Sequence, residues 1–138
     1  MVDPARVARL IEALERYRER LAGLRDLALD VYVAEQAFAG RYLVQASAQT
    51  CIDIANHVIA SEGWRTPTDF RDAFTVLEEH NVIDAGLAER MRALAGLRNR
   101  LVHIYEDVDD RIVHASLTEG LDDLSGYAQA IARFAEQR

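Results

Sequence analysis

Arginine, asparagine, histidine and tyrosine crowd into the segment Leu97-Arg98-Asn99-Arg100-Leu101-Val102-His103-Ile104-Tyr105, at the end of an otherwise apolar helical stretch. Cleavage of an RNA phosphodiester calls for such groups. The attacking ribose hydroxyl needs a base, the leaving oxygen needs an acid, and the charge on the phosphorane needs a donor fork. Histidine titrates near neutrality and serves as base or acid, while the guanidinium of an arginine supplies the fork. One His103 does not conveniently do both jobs at once, so a two-fold dimer, with two copies of His103 and Arg98 across one cleft, meets the shortage by symmetry. No metal is required. The same residue types at a helix end also fit a plainer arrangement: a C-terminal cap, a cation at the negative end of the helix and a packed aromatic ring.

The helix that carries these groups begins after Asp84 and runs to about His103, with Leu87, Met91, Leu94 and Leu101 as its apolar stripe. At about 100° per residue Arg98 falls on that stripe. A charge placed there must find an acid partner or border a cleft or a subunit seam. His103 lies about 140° away from Arg98 on the same wheel, so either the helix ends near Val102 or a second chain completes the site.

The remaining elements are also helical by pattern. Asp3 followed by Pro4 caps a first helix over roughly residues 4 to 21. A long second stretch runs from about Asp30 to Ser61, where Gly40 bends or splits it. After the loop Gly63-Trp64-Arg65-Thr66-Pro67 a short helix restarts near Thr68 or Asp69 and ends at Asn81. The acidic segment from Glu106 to Asp110 is expected to be a solvated turn, lacking the glycine and terminal glutamate of a calcium loop. Ser116-Leu117-Thr118-Glu119 has the form of a capping box for a last helix through Phe134.

Composition agrees with one all-α domain over residues 1–138. Half of the 138 residues are hydrophobic and 28% are charged, with only two prolines and seven glycines. Cys51 is the single cysteine, so no internal disulfide is possible, and no Cys/His cluster has zinc spacing. No apolar run reaches the length of a membrane span, and the expected location is the cytoplasm, away from membranes. Twenty-three acidic residues against sixteen basic ones leave a net charge of −7, which argues against loose, charge-driven wrapping of nucleic acid but permits a local basic site.

Other polar residues admit more than one role beside the same chemistry. Asp53 and His57 stand one helical turn apart, where a local hydrogen-bonded pair is favoured over a role in orienting Arg98 or His103. Asn99, one turn before His103, is placed to hold its ring or touch a phosphate, and equally to serve as an ordinary cap. Arg100 is a candidate phosphate contact at the cleft rim or a plain exposed arginine. Cys51 is expected in the core, and His80 and His114 in loops or on the surface.

Arg98, four intervening residues, His103, one residue and Tyr105 together resemble the signature of the HEPN superfamily, specifically its HepT-like ribonuclease toxins. Arg41-Tyr42-Leu43 leading into Cys51-Ile52-Asp53-Ile54-Ala55-Asn56-His57-Val58-Ile59-Ala60 resembles the same family, and the likeness runs in order along nearly the whole chain. The resemblance implies an up-and-down HEPN bundle of about five helices forming a two-fold homodimer. It implies a metal-independent RNase cleft lined by Arg98 and His103 of both subunits, acting on RNA and not DNA, with no cofactor. It also implies an antitoxin partner, an MntA-like minimal nucleotidyltransferase, which silences the toxin by transferring AMP groups from ATP onto Tyr105. A phosphate-linked adenosine there would fill the cleft and repel an incoming RNA phosphate. The alternative within the same family is a non-catalytic HEPN module that docks a nucleotidyltransferase; a plain helical dimer is the third reading.

Overall fold

The computed structural model describes residues 2–103 and 105–138, with residue 105 described by its backbone. Every regular element among them is helical. In chain order they are α1 (Pro4–Arg25), α2 (Leu29–Val31), a π-helical turn (Tyr32–Gln36), α3 (Ala37–Glu62), α4 (Phe70–Glu79), α5 (Ala85–His103), a 3₁₀ turn (Tyr105–Asp107) and α6 (Asp110–Glu136). Because α2, the π turn and α3 follow one another without interruption, the chain makes five rods, the all-α bundle expected from its pattern.

Short polar side chains set most of the boundaries. Asp3 Oδ1 accepts the N–H groups of Ala5 and Arg6 at 3.0 and 3.3 Å, with Pro4 at the first helical position. Asp69 accepts from Asp72 N–H at 2.7 Å and Asp84 from Leu87 N–H at 2.8 Å, each satisfying a donor that the helix itself leaves open. At the other end of α3 the chain turns through Gly63 at φ +68°, the left-handed conformation in which a missing Cβ matters.

Three boundaries differ from expectation. α1 continues past Leu21 and through Gly23 to Arg25, because Leu21 is buried and Leu24 packs against the core, anchoring one more turn. α6 begins at Asp110, well before Ser116. Asp109 caps it by accepting Arg111 N–H at 2.9 Å, and Ser116 sits inside the helix with its hydroxyl donating to the Val113 carbonyl at 2.7 Å. Gly40 does not split its helix, which is continuous from Ala37 to Glu62; the irregular backbone is the π turn upstream of it.

The glycine is there for a different reason. Tyr32, the first residue of the π turn, is fully buried with its ring against Gly40. A Cβ at Gly40 would overlap Tyr32 Oη and come within 2.8 Å of Cζ. Helix propensity alone favours alanine over glycine by about 1 kcal/mol, but forcing a rigid buried ring aside costs about 1 to 3 kcal/mol or more. Gly40→Ala is therefore expected to destabilise the protein. Denaturant unfolding checks the sign: a variant as stable as the parent would show that the ring has room to move.

α3 is the central rod. It buries Leu43, Val44, Ala48, Cys51, Ile52, Ile54, Ala55, Val58 and Ile59, positions that go round the helix instead of marking a single stripe. α1 and α6 pack against it, and so does the hairpin formed by α4 and α5. Polar contacts lace that hairpin: Arg71 Nε donates to the Arg92 carbonyl at 3.2 Å and Arg92 pairs with Glu78 at 3.1 Å, while Arg65 ties the preceding loop to α4 through Asp72 and Glu79. Packed antiparallel in this way, the hairpin sets the start of α4 beside the end of α5.

Candidate functional site

That juxtaposition makes a shallow open concavity of about 320 Å³, lined by Asp69 and Phe70 from the start of α4 and by Arg98, Asn99 and His103 from the end of α5. Three of the five were singled out from the sequence. Asp69 was expected only as a helix start; its place and that of Phe70 beside Arg98 come from the hairpin and have no local signature.

Arg98 is half-buried, and it meets the dilemma of a charge on an apolar stripe by bordering this concavity. Its Nη1 donates to Asn99 Oδ1 at 3.1 Å, and its Cζ lies over the Phe70 ring, 5.0 Å from the centroid. Among the described residues no carboxylate lies within ion-pair distance of the guanidinium, and Nε is buried without a hydrogen-bond partner. Seven other arginines, at positions 18, 25, 41, 65, 90, 92 and 138, are held by acids. Asn99 is thus fastened to Arg98 and not free to cap.

His103 is exposed and is the last residue of α5, where the sequence pattern put the end of the helix. The wheel separation from Arg98 does not keep the two apart: both border the same concavity, since the opening is wide and Arg98 has a long side chain. Ile104 lies outside the described residues, as does the side chain of Tyr105; the backbone of Tyr105 opens the 3₁₀ turn. Arg100 is exposed and does not line the concavity.

Asp53 and His57 do not form the local pair expected of them, and neither lines the concavity. Gln49 Nε2 donates to Asp53 at 2.9 Å, whereas His57 Nε2 accepts the backbone N–H of Asp3 at 3.1 Å, tying the start of α1 to α3. Desolvation first, and then the Arg6 charge, holds the His57 imidazole below its usual pKa, in keeping with its role as an acceptor. Cys51 is fully buried, and that burial pushes its thiol far above the ordinary range, so it is a core residue.

The remaining polar groups also find definite places. His80 stacks on Trp64 with ring centroids 3.9 Å apart. His114 is not a loop or surface histidine: it lies on α6, half-buried, its ring 4.6 Å from that of Tyr32. The acidic segment is more than a solvated turn. Arg41 of α3 grips Asp110 through two bonds, Nε to Oδ1 at 2.7 Å and Nη2 to Oδ2 at 2.8 Å, with both side chains largely covered. This fork anchors the start of α6 and so the far end of the connection that leaves His103. Among the described residues no group of three or more His, Cys, Asp or Glu side chains is arranged to hold a metal ion, and no helix is long and apolar enough to cross a membrane.

The chain and its fold have known relatives. A family model described as "Ribonuclease HepT-like" matches residues 10–131. The tRNA nuclease HepT of Aphanizomenon flos-aquae is 29% identical over 133 residues, 94% of this chain and 90% of that protein. The mRNA nuclease HepT of Shewanella oneidensis is 33% identical over 88 residues, 64% of this chain and 66% of that protein. Among solved structures, the tri-AMPylated Shewanella oneidensis HEPN toxin in complex with MNT antitoxin superposes with a TM-score of 0.83 at 25% identity, covering 92% of this chain and 96% of that one.

Proposed function

The chain belongs to the HepT-like ribonuclease family, and on that premise we propose that it is the RNase toxin of a HepT/MntA-type toxin–antitoxin system, with Arg98 and His103 as its catalytic residues. The observation that carries the assignment is the concavity at the end of α5, where an arginine without an acid partner and an exposed histidine border one opening. The chemistry follows from these groups. His103 takes the proton of the ribose 2′-hydroxyl, that oxygen attacks the adjacent phosphorus, and a protonated imidazole returns a proton to the departing 5′-oxygen. Arg98 meets the charge that builds on the phosphorane. No metal is needed for these steps, and the 2′-hydroxyl as nucleophile makes RNA, not DNA, the substrate.

Two imidazoles, one to take the proton and one to give it, come from two chains related by a two-fold axis. Supporting such a homodimer, Phe38 and Tyr42, one turn apart on α3, are 82% and 60% exposed, and Ile112 on α6 is 68% exposed, apolar surface of the kind that a second copy covers. Asn99 supports the site by holding Arg98. Arg100, Asp53 and His57 are left without a catalytic part in this scheme. The protein works in the cytoplasm, where its RNA is.

Control falls to Tyr105, two residues beyond His103 in a segment made polar by Glu106 and Asp107. The partner is an MntA-like nucleotidyltransferase that moves AMP from ATP onto the phenol oxygen, with pyrophosphate leaving. Incubating the purified protein with that enzyme and ATP–Mg²⁺ is expected to add mass in AMP units at Tyr105 and to stop RNA cleavage. Tyr105→Phe keeps the ring but lacks the acceptor oxygen, so it should stay active under the same treatment. Intact mass spectrometry with peptide mapping decides the matter: AMP on a different residue, or silencing without added mass, removes Tyr105 from the scheme.

A further inference from the structure

Arg98 raises a question that its role as a phosphate donor does not answer: what holds it. A half-buried guanidinium ordinarily rests on a carboxylate, yet this one has none within ion-pair distance among the described residues, and its buried Nε donates to nothing. Hydrogen bonding accounts for one contact, from Nη1 to Asn99 Oδ1. The other is the Phe70 ring, itself half-buried and packed against the core, over which the guanidinium carbon sits.

From this geometry we propose that Phe70 is a positioning residue for the reaction, an aromatic platform that fixes the Arg98 guanidinium without neutralising it. The inference rests on the assignment of Arg98 and His103 as the RNase site. A cation held over a ring face is not neutralised and gives up no N–H to a carboxylate, so the N–H groups of Arg98 that are neither buried nor given to Asn99 remain for a phosphate. A carboxylate in the same place would occupy the in-plane donors, cancel most of the charge, and compete with the incoming phosphate for the same fork. The platform is rigid because Phe70 directly follows the cap residue Asp69 at the start of α4, and the lacing of α4 to α5 sets the distance between ring and arginine.

The test separates the ring's electronic role from its bulk. Fluorinated phenylalanines at position 70, carrying one, two and three fluorines, keep the shape while draining the negative face of the ring. RNA cleavage by the purified dimer is expected to fall stepwise along the series, with kcat/KM down about tenfold at three fluorines. Phe70→Tyr, which keeps the face, is expected to stay within about threefold of the parent. Phe70→Leu is expected to weaken RNA binding when built on catalytically silent His103→Ala protein, and to have no further effect once Arg98→Ala is also present. A flat fluorine series beside an inactive Arg98→Ala variant overturns the platform alone, as does a Phe70→Leu effect of the same size with and without Arg98. Full cleavage by Arg98→Ala brings down the reading of the site itself, and the platform with it.

Discussion

Purified His103→Ala protein is expected to cleave RNA at least a hundredfold more slowly than the parent, and its expression is expected to be harmless to a cell that the parent arrests. A side chain that moves a proton in the rate-limiting step contributes about 10²- to 10⁴-fold, and this histidine is the only one of the four that borders the concavity. His57 accepts the Asp3 N–H, His80 stacks on Trp64 and His114 packs on Tyr32, so none of them stands ready to replace it. The fold should hardly notice the change. His103 is exposed at the last position of α5, where a cation favours the helix end by at most about 1 kcal/mol. Circular dichroism and a melting curve close to the parent's, together with lost cleavage, make the expected pair of results. Undiminished cleavage would take His103 out of the mechanism.

Arg98→Ala is expected to cost cleavage about as much, for a separate reason. Removing one donor aimed at a developing oxyanion typically slows the reaction by about 10²- to 10³-fold, and Arg98 is the arginine of the concavity without an acid to hold it. Arg98→Lys keeps the charge but loses the planar fork and much of the contact with Phe70, so it should recover only part of the rate. Stability should move little. Alanine loses the packing of the arginine stem, but it also removes a buried Nε without a partner, whose burial costs about 1 to 3 kcal/mol, and the two effects oppose each other. A marked fall in unfolding free energy, with cleavage intact, would make Arg98 a structural residue. Mixing refolded parent chains with a growing excess of His103→Ala chains adds a test of the proposed shared cleft. A mixed dimer would hold only one imidazole at its cleft, so cleavage should fall as the square of the parent fraction, whereas a linear fall would mean that each chain works alone.

What could be seen without the fold were features whose cause lies within a turn or two of chain. The caps at Asp3, Asp69 and Asp84 were legible, since a short carboxylate reaching an N–H two or three residues on is a local event. The oddity of Arg98 was legible too, because the helical period alone puts its charge on an apolar stripe. The cost of burying charge left it an acid partner, a cleft or a subunit seam, and the resemblance of the Arg98, His103 and Tyr105 spacing pointed to the family that the match over residues 10–131 then established.

Tertiary structure decided the rest, wherever the partner that settles a conformation comes from another part of the chain. Ser116-Leu117-Thr118-Glu119 has the local pattern of a helix start, yet α6 begins at Asp110, where Arg41, 69 residues away, clamps the carboxylate and Asp109 supplies the cap. Asp53 and His57 stand at the spacing of a pair, but Gln49 and the Asp3 backbone claim them first. Gly40 looks like a hinge by composition and proves to be the floor beneath a buried tyrosine. Phe70 reads as one more apolar residue on a short helix until the α4–α5 hairpin sets its ring under Arg98. Residue types and spacing determined which groups were able to do chemistry, because propensity, capping and periodicity act over a few residues. Only the packing of distant helices determined which charges go unneutralised, because that depends on what else arrives within a few ångströms of them.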